Sequence, residues 1–426
     1  MDKFVISGPT RLCGSVKIGG AKNAAVAILP GVLLADSPCR IENLPEISDV
    51  ISVCRVLKEL GADVKFIDKS TVEIDPTGVN SFVVTREMAQ SMRASSYFLG
   101  ALLGRMGRAR VAPPGGCNFG IRPIDQHIKG FEALGAKVVI ENGMVDARTQ
   151  RLGGGSVYLD VVSVGATVNI MLAAVKARGV TVIENAAREP HIVDLANFLN
   201  SMGANIMGAG TNVIKIKGVE TLNGTTYSII PDQIEAGTYL AAAVATKGDV
   251  TITNVIPKHL ESILAKLAEV GAEIEEFDEA VHIVMNSRPH KCNVKTMPHP
   301  GFPTDMQPQL TVVLSVADGT STITEGVWDD RYRYVEQLAL MGAEIKVDGK
   351  TAFVTGVEKL KASPVKAVDL RAGAAMIVAG LMAEGVTEIE NIDHIDRGYE
   401  CVVEKFSSLG ANIKRTSESE PEVEQA

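Results

Sequence analysis

The chain has 426 residues, enough for more than one hydrophobic core and for two or three domains. It is 46% hydrophobic but only 4% aromatic, with one Trp, so Gly, Ala, Val, Ile and Leu must build closely packed helices and sheets. A formal net charge of −9 argues against nucleic acid or an anionic membrane as the main partner, and any anionic ligand needs a local basic pocket.

The opening MDKFVISGPTRLCG has no apolar signal core, and no uninterrupted apolar run approaches the ~18 residues of a membrane span. The six cysteines, at 13, 39, 54, 117, 292 and 401, follow no CxxC or regular framework, which is the usage of a reducing compartment. A cytoplasmic protein is expected.

Taken in order, the predicted elements repeat. Behind Lys22 and Asn23 comes NAAVAILPGVLLA, a helix apolar around most of its circumference; an amphipathic helix then ends in LGADV, at Gly61. Behind Arg93 comes SSYFLGALLG, then LGAKV at Gly135; behind Ser163, Val164 and Gly165 comes ATVNIMLAAV, then MGANI at Gly203. Asp232 precedes AGTYLAAAVA and VGAEI (Gly271), Thr304 and Asp305 precede QLTVVLSVA and MGAEI (Gly342), and Asp369 with Arg371 precedes GAAMIVAGLMA and LGANI (Gly410). The glycine intervals are 74, 68, 68, 71 and 68. In each unit an alternating strand enters a polar turn and an amphipathic helix, and the glycine reads as a helix C-cap leading into a strand. Six such units predict an α/β protein with buried helices inside and sheets outside. The closing RTSESEPEVEQA reads as an acidic, disordered tail.

Helix N-termini carry partial positive charge and unsatisfied N–H groups, so a region where the six buried helices begin suits an anion. N-capping explains Ser163, Asp232 and Thr304 equally well. It does not explain Lys22, Arg93 or Arg371, because cations are disfavoured at that end. The stretch APPGGCNFGIRP, from Ala112 to Pro123, is too rich in Pro and Gly for helix or central strand and carries a thiol in a mobile loop. There is no GxxxxGK[ST], and the GAG at 208–210 lacks the third Gly of a dinucleotide loop. The spacing of His290, Cys292 and His299 suits no common metal site.

The segments GGAKNAA, RASSYFLGALL, PPGGCNFGIRPIDQH, SVGATVNIM, ENAAREPHIVDLANFL, GFPTDMQPQ and HIDRGYE resemble the UDP-N-acetylglucosamine enolpyruvyl transferase family, from about Lys3 to Lys414. The resemblance implies a two-domain inside-out α/β barrel of six βαβαββ repeats. Residues 21–229 would form one domain, 1–20 with 230–414 the other, and 415–426 the tail. It implies transfer of the enolpyruvyl group of phosphoenolpyruvate to the 3′-hydroxyl of UDP-N-acetylglucosamine, the first committed step of peptidoglycan synthesis, with no metal or organic cofactor expected. The competing readings are a shikimate-pathway enolpyruvyl transferase and a catalytically silent UDP-sugar sensor.

Phosphoenolpyruvate carries a carboxylate and a phosphate, and arginine's fork matches both. Lys22, Arg93, Arg122, Arg331, Arg371 and Arg397 are the candidates, and the resemblance favours Lys22, Arg93, Arg122 and Arg397 as direct contacts; a surface ion pair is the alternative held most seriously for Arg331. The resemblance makes Cys117 both the acid that protonates the methylene carbon and a nucleophile that forms a phosphoenolpyruvate adduct, the site fosfomycin alkylates. Asp305 matches the base for the sugar hydroxyl, Asn23 orients it, and Asp369 assists proton transfer or only steers Arg371. Arg122, Pro123, Ile124, Asp125 and Gln126, with Ser163, Val164, Gly165 and Val327, resemble the nucleotide-holding stretch. Val161 and Gln233 depart from cations in some relatives, and Gln126 from leucine.

Overall fold

The computed structural model describes residues 2–90, 92, 94–113 and 124–417. In each sheet one strand runs parallel to a second, whose other side carries an antiparallel pair; in five sheets that pair is a hairpin, and in the sixth it joins Asp2–Gly8 to Asn412–Ser417. In one unit Val83–Val84 lies parallel to Arg108–Val111, which pairs antiparallel with Met144–Arg148, itself paired with Lys137–Glu141. Six four-stranded sheets of this kind are present among the described residues. The glycine phrases end the outer helices as their spacing predicts. Gly61, Gly135, Gly203, Gly271, Gly342 and Gly410 have φ of 106°, 83°, 104°, 103°, 89° and 92°, the left-handed region where a Cβ is strained.

A second repeated device closes the turn after the second strand in four units. Asn43, Asn185, Asn254 and Asn391 all have φ between 56° and 59°. Three of these side chains donate to a carbonyl just beyond the first strand: Asn43 to Ile229 O at 2.8 Å, Asn185 to Leu159 O at 2.8 Å and Asn254 to Ile18 O at 2.7 Å. Asparagine tolerates this backbone conformation, and its amide satisfies a carbonyl at the strand end.

By contact the chain divides into two units, one of residues 19–232 with 298–300, the other of residues 1–18, 233–297 and 301–426. In the first, the helix Tyr97–Met106 packs against Val164–Ala174 and Lys22–Gly31. Gly100 permits the approach, since a Cβ there would lie 2.3 Å from the carbonyl oxygen of Asn169. In the second, Gln233–Ala245, Gln307–Leu314 and Leu370–Met382 pack on one another and are buried along their length. Such helices are stable only when sheets cover them, because each is apolar on every side.

Strands distant in sequence close both units. Asp2–Gly8 enters between Gly385–Glu390 and Asn412–Ser417, and Cys13–Lys17 lies parallel to Asp249–Thr253. Thr226–Ser228 lies parallel to Cys39–Glu42 in the other unit. Ordered backbone continues past Lys414, where the acidic tail was expected to begin, because Arg415 bonds to Asp2 at 2.9 Å and to Asp396 at 3.1 and 2.9 Å, and Ser417 donates to Asp2 at 2.7 Å. The remaining tail, residues 418–426, lies outside the described residues. No helix among the described residues is long and apolar enough to cross a membrane.

Candidate active site

Asp305 lies in the single turn Thr304–Met306 that feeds the buried helix Gln307–Leu314. Its Oδ1 is 3.4 Å from Arg331 Nη2, and its Oδ2 is 3.1 Å from Arg371 Nη2 and 3.2 Å from Arg371 Nε. The arginine side chains are only 3% and 4% exposed, against 29% for Asp305. Two cations set into the interior thus present a carboxylate that water, or a substrate hydroxyl, can reach. Arg331 is therefore not a surface ion pair. Arg371 also lies over the ring of Tyr399, 5.5 Å from its centroid.

Asp369 caps the helix Leu370–Met382: its Oδ1 accepts from the amides of Arg371 at 2.8 Å and Ala372 at 3.0 Å. It therefore engages Arg371 through the backbone. Thr304, expected as a possible cap, instead donates its hydroxyl to Glu325 Oε2 at 3.0 Å. Arg397 follows the short helix Asp393–Asp396 and is half-buried, and Val327 lies exposed on the turn after Glu325.

In the other unit Lys22 opens the helix Lys22–Gly31 and is buried, its Nζ 2.9 Å from Asp49 Oδ2. The cap of that helix comes from far along the chain, as Asp232 Oδ2 accepts from the Lys22 amide at 3.0 Å. Asp232 is held in place by its own amide on Gly19 O at 2.9 Å, beside an antiparallel bridge between Gly20 and Pro231. Gly20 has no substitute here, because a Cβ would fall 1.6 Å from the carbonyl oxygen of Asn43. Asn23 is half-buried one residue along.

The stretch expected to hold nucleotide is framed by side-chain amides. Ile124 precedes the helix Asp125–Ala133, with Asp125 exposed and Gln126 buried. Gln126 Nε2 donates to Asp125 and Asp160 at 3.1 Å each, and its Oε1 accepts from the Asp160 amide at 2.9 Å. The side chain that departs from leucine is thus committed to protein groups. Lys129 adds a 2.8 Å pair to Asp160, and hydrogen bonds from Lys129 and Gln126 hold that carboxyl below its usual range.

Ser163 caps the buried helix Val164–Ala174 by accepting from Ala166 N at 3.2 Å. Behind Val164 and Gly165, Asn169 Oδ1 accepts from Gly100 N at 2.7 Å, which orients its amide so that Nδ2 donates to His127 Nδ1 at 3.0 Å. His127 is therefore neutral with its proton on Nε2, and burial pushes its pKa down to about 4 against a small opposing pull from Asp125.

Cys117, Arg122, Pro123 and Arg93 lie outside the described residues. Among the described residues no group of three His, Cys, Asp or Glu side chains is arranged to hold a metal ion. Asp49, Glu325, Asp160 and Asn169 were not anticipated. The signal for Asp49 was present, since an acid shares a helical stripe with Val53, Val56 and Leu57, all buried. For the other three only tertiary pairing reveals the role.

A family model for EPSP synthase (3-phosphoshikimate 1-carboxyvinyltransferase) matches residues 6–406. UDP-N-acetylglucosamine 1-carboxyvinyltransferase 3 of Caldanaerobacter subterraneus subsp. tengcongensis is 56% identical over 418 residues, covering 98% of this chain and 100% of that one. UDP-N-acetylglucosamine 1-carboxyvinyltransferase 2 of Clostridium acetobutylicum is 57% identical over 416 residues, covering 97% and 99%. Among solved structures, the enolpyruvyl transferase NikO from Streptomyces tendae superposes with a TM-score of 0.89 at 25% identity, covering 97% of this chain and 99% of that one. EPSP synthase from Acinetobacter baumannii shares the fold, with a TM-score of 0.76 at 18% identity over 98% and 100% of the two chains. With matches of this extent, the chain belongs to the EPSP synthase family of enolpyruvyl transferases and, within it, to the UDP-N-acetylglucosamine 1-carboxyvinyltransferases.

Proposed function

We propose that the protein transfers the enolpyruvyl group of phosphoenolpyruvate to the 3′-hydroxyl of UDP-N-acetylglucosamine and releases phosphate, supplying peptidoglycan synthesis in the cytoplasm. The observation that carries this reading is identity above one half along nearly the whole chain to relatives named for that acceptor. The chemistry would fall to the following residues. Lys22, Arg93, Arg122 and Arg397 hold the phosphate and carboxylate of phosphoenolpyruvate, and Lys22 is aimed by a buried partner, Asp49. Cys117 gives a proton to the methylene carbon, which leaves C2 electrophilic.

The 3′-oxygen then bonds to C2 while Asp305 takes the hydroxyl proton and Asn23 orients the sugar. Asp305 suits the task because it is half-exposed on two buried arginines, Arg331 and Arg371, which fix its direction. Loss of a proton from the methyl group so formed, as the bond from C2 to the phosphate oxygen breaks, restores the double bond and frees phosphate. Asp369 assists that proton transfer from the start of the helix it caps. The nucleotide rests on Arg122, Pro123, Ile124, Asp125 and Gln126, with Ser163, Val164, Gly165 and Val327. Gln126 contributes through its backbone, since its side chain is taken by Asp125 and Asp160.

Phosphate release measured with each acceptor tests the reading. Release that requires UDP-N-acetylglucosamine supports it. Release with shikimate 3-phosphate alone favours the shikimate-pathway activity, and none with either favours the silent sensor.

A further inference from the structure

Glu325 follows the strand Thr320–Thr324 and is 1% exposed. Among the described residues no lysine or arginine forms an ion pair with it; its oxygens are satisfied by neutral donors. Oε1 accepts from Thr296 Oγ1 at 2.7 Å, Val327 N at 2.9 Å and Trp328 N at 3.1 Å, and Oε2 accepts from Thr304 Oγ1 at 3.0 Å. Burying a carboxylate is costly even when hydrogen-bonded, and an apolar residue could fill the same space. The pattern of donors says what the charge does there.

Thr304 precedes Asp305 and is held from two sides: its hydroxyl goes to Glu325, and its carbonyl accepts from Arg331 Nη2 at 3.4 Å. The other oxygen of Glu325 fixes the first amides of the loop that leads to Arg331, and Gly326 N is drawn to Thr296 Oγ1 at 2.8 Å beside it. One carboxylate therefore sets both the backbone that carries Asp305 and the segment that carries one of its two cations. We infer that Glu325 is a positioning residue for proton abstraction by Asp305, acting through the Thr304 hydroxyl and the 326–328 loop. The inference rests on the reading of Asp305 as the base. A displacement of about 1 Å at a reacting group can cost up to about a hundredfold in rate, and shortening Glu325 by one methylene is a change of that size.

The test uses the full-length enzyme with steady-state kinetics and an unfolding midpoint for each variant. Glu325→Asp and Thr304→Val should each lower kcat about tenfold or more, with KM for both substrates within about twofold of the parent. Thr304→Ser, which keeps the hydroxyl, should restore kcat to within about twofold. The double variant Glu325→Asp with Thr304→Val should be no slower than the slower single, because the two groups form one link. Parental kcat in Thr304→Val, a double variant showing the product of both losses, or a loss confined to KM would each overturn the inference. If Glu325→Asp does not fold, the Val and Ser variants of Thr304 still decide it. Parental turnover in Asp305→Asn would instead overturn the reading of the base, whereas an inactive Asp305→Asn beside a fully active Thr304→Val would remove only the role of Glu325.

Discussion

The ammonium of Lys22 lies 2.9 Å from the carboxylate of Asp49, with side chains only 9% and 3% exposed. Breaking a buried pair by removing one charge typically costs about 3–5 kcal/mol, because the other charge stays buried. Asp49→Asn should therefore lower unfolding stability by about 3 kcal/mol and raise KM for phosphoenolpyruvate by about tenfold, as Lys22 loses the anion that aims it. Denaturant unfolding and substrate titration check both numbers. Stability and KM at parental values would mean that Asp49 is incidental to Lys22.

His127 predicts a pH dependence. Its folded pKa, about 4, lies below the ordinary value of 6.5, so the unfolded chain binds the proton more readily. This contribution to stability is fully present above 6.5 and is lost as pH falls from there through 4. The loss amounts to about 3 kcal/mol by linkage. His127→Gln should flatten the unfolding curve over that interval while leaving it little changed above pH 7. An unchanged slope in the variant would contradict the neutral, Asn169-bonded imidazole.

The repeat glycines announced every outer-helix C-terminus because the requirement is local: a residue leaving a helix in the left-handed region favours Gly, and all six have positive φ. The buried helices were legible for a similar reason, since apolar residues on every side admit few other placements. The asparagines of IEN and ITN read only as polar turns, although their residue type already suited the left-handed region. What stayed hidden depends on residues remote in the chain. Asp232 looked like a cap for the helix that follows it, and it accepts from the first amide of the helix at Lys22, 210 positions away. Thr304 looked like a cap and serves Glu325, and Arg331, a candidate substrate cation with a surface ion pair as its alternative, is buried against Asp305. Residue type gives the bonds a side chain can make, and only the fold decides which partner arrives.

Asp194 behaves in the opposite sense to His127. Burial pushes its carboxyl up to about 6, opposed by hydrogen bonds from Tyr227 Oη at 2.6 Å and Ile230 N at 3.4 Å. The folded state therefore binds the proton more tightly than the unfolded chain, and stability falls as pH rises from the ordinary 3.8 through 6, by about 3 kcal/mol. Asp194→Asn should remove that slope. Tyr227→Phe, which deletes the donor on the strand closing the unit, should lower stability by about 1–3 kcal/mol and move the transition above pH 6. A transition that stays in place in Tyr227→Phe would show that the tyrosine does not stabilise the carboxylate.

Thiol reactivity should be confined to Cys117. Burial pushes the thiols of Cys54 up to about 12 and Cys292 up to about 11, and raises that of Cys39, so none of the three is a ready nucleophile. Fosfomycin, an epoxide shaped like phosphoenolpyruvate, should inactivate the enzyme with one adduct, on the Cys117 peptide by mass spectrometry. Cys117→Asp should resist it and keep much of the turnover, while Cys117→Ser should be far slower, because a hydroxyl is too weak an acid. Adducts mainly on the exposed Cys13 or Cys401, or equal activity of the two variants, would remove Cys117 from its role.

The acceptor is the central claim, and the fate of the enolpyruvyl carbons tests it most directly. Phosphoenolpyruvate labelled with carbon-13 at its methylene should be supplied with equal amounts of UDP-N-acetylglucosamine and shikimate 3-phosphate, and the products read by NMR. The account predicts that the label appears as a vinyl ether on the 3′-oxygen of the nucleotide sugar, with one phosphate released for each transfer. Label recovered on the shikimate-derived product, or phosphate released without a labelled ether, would contradict it.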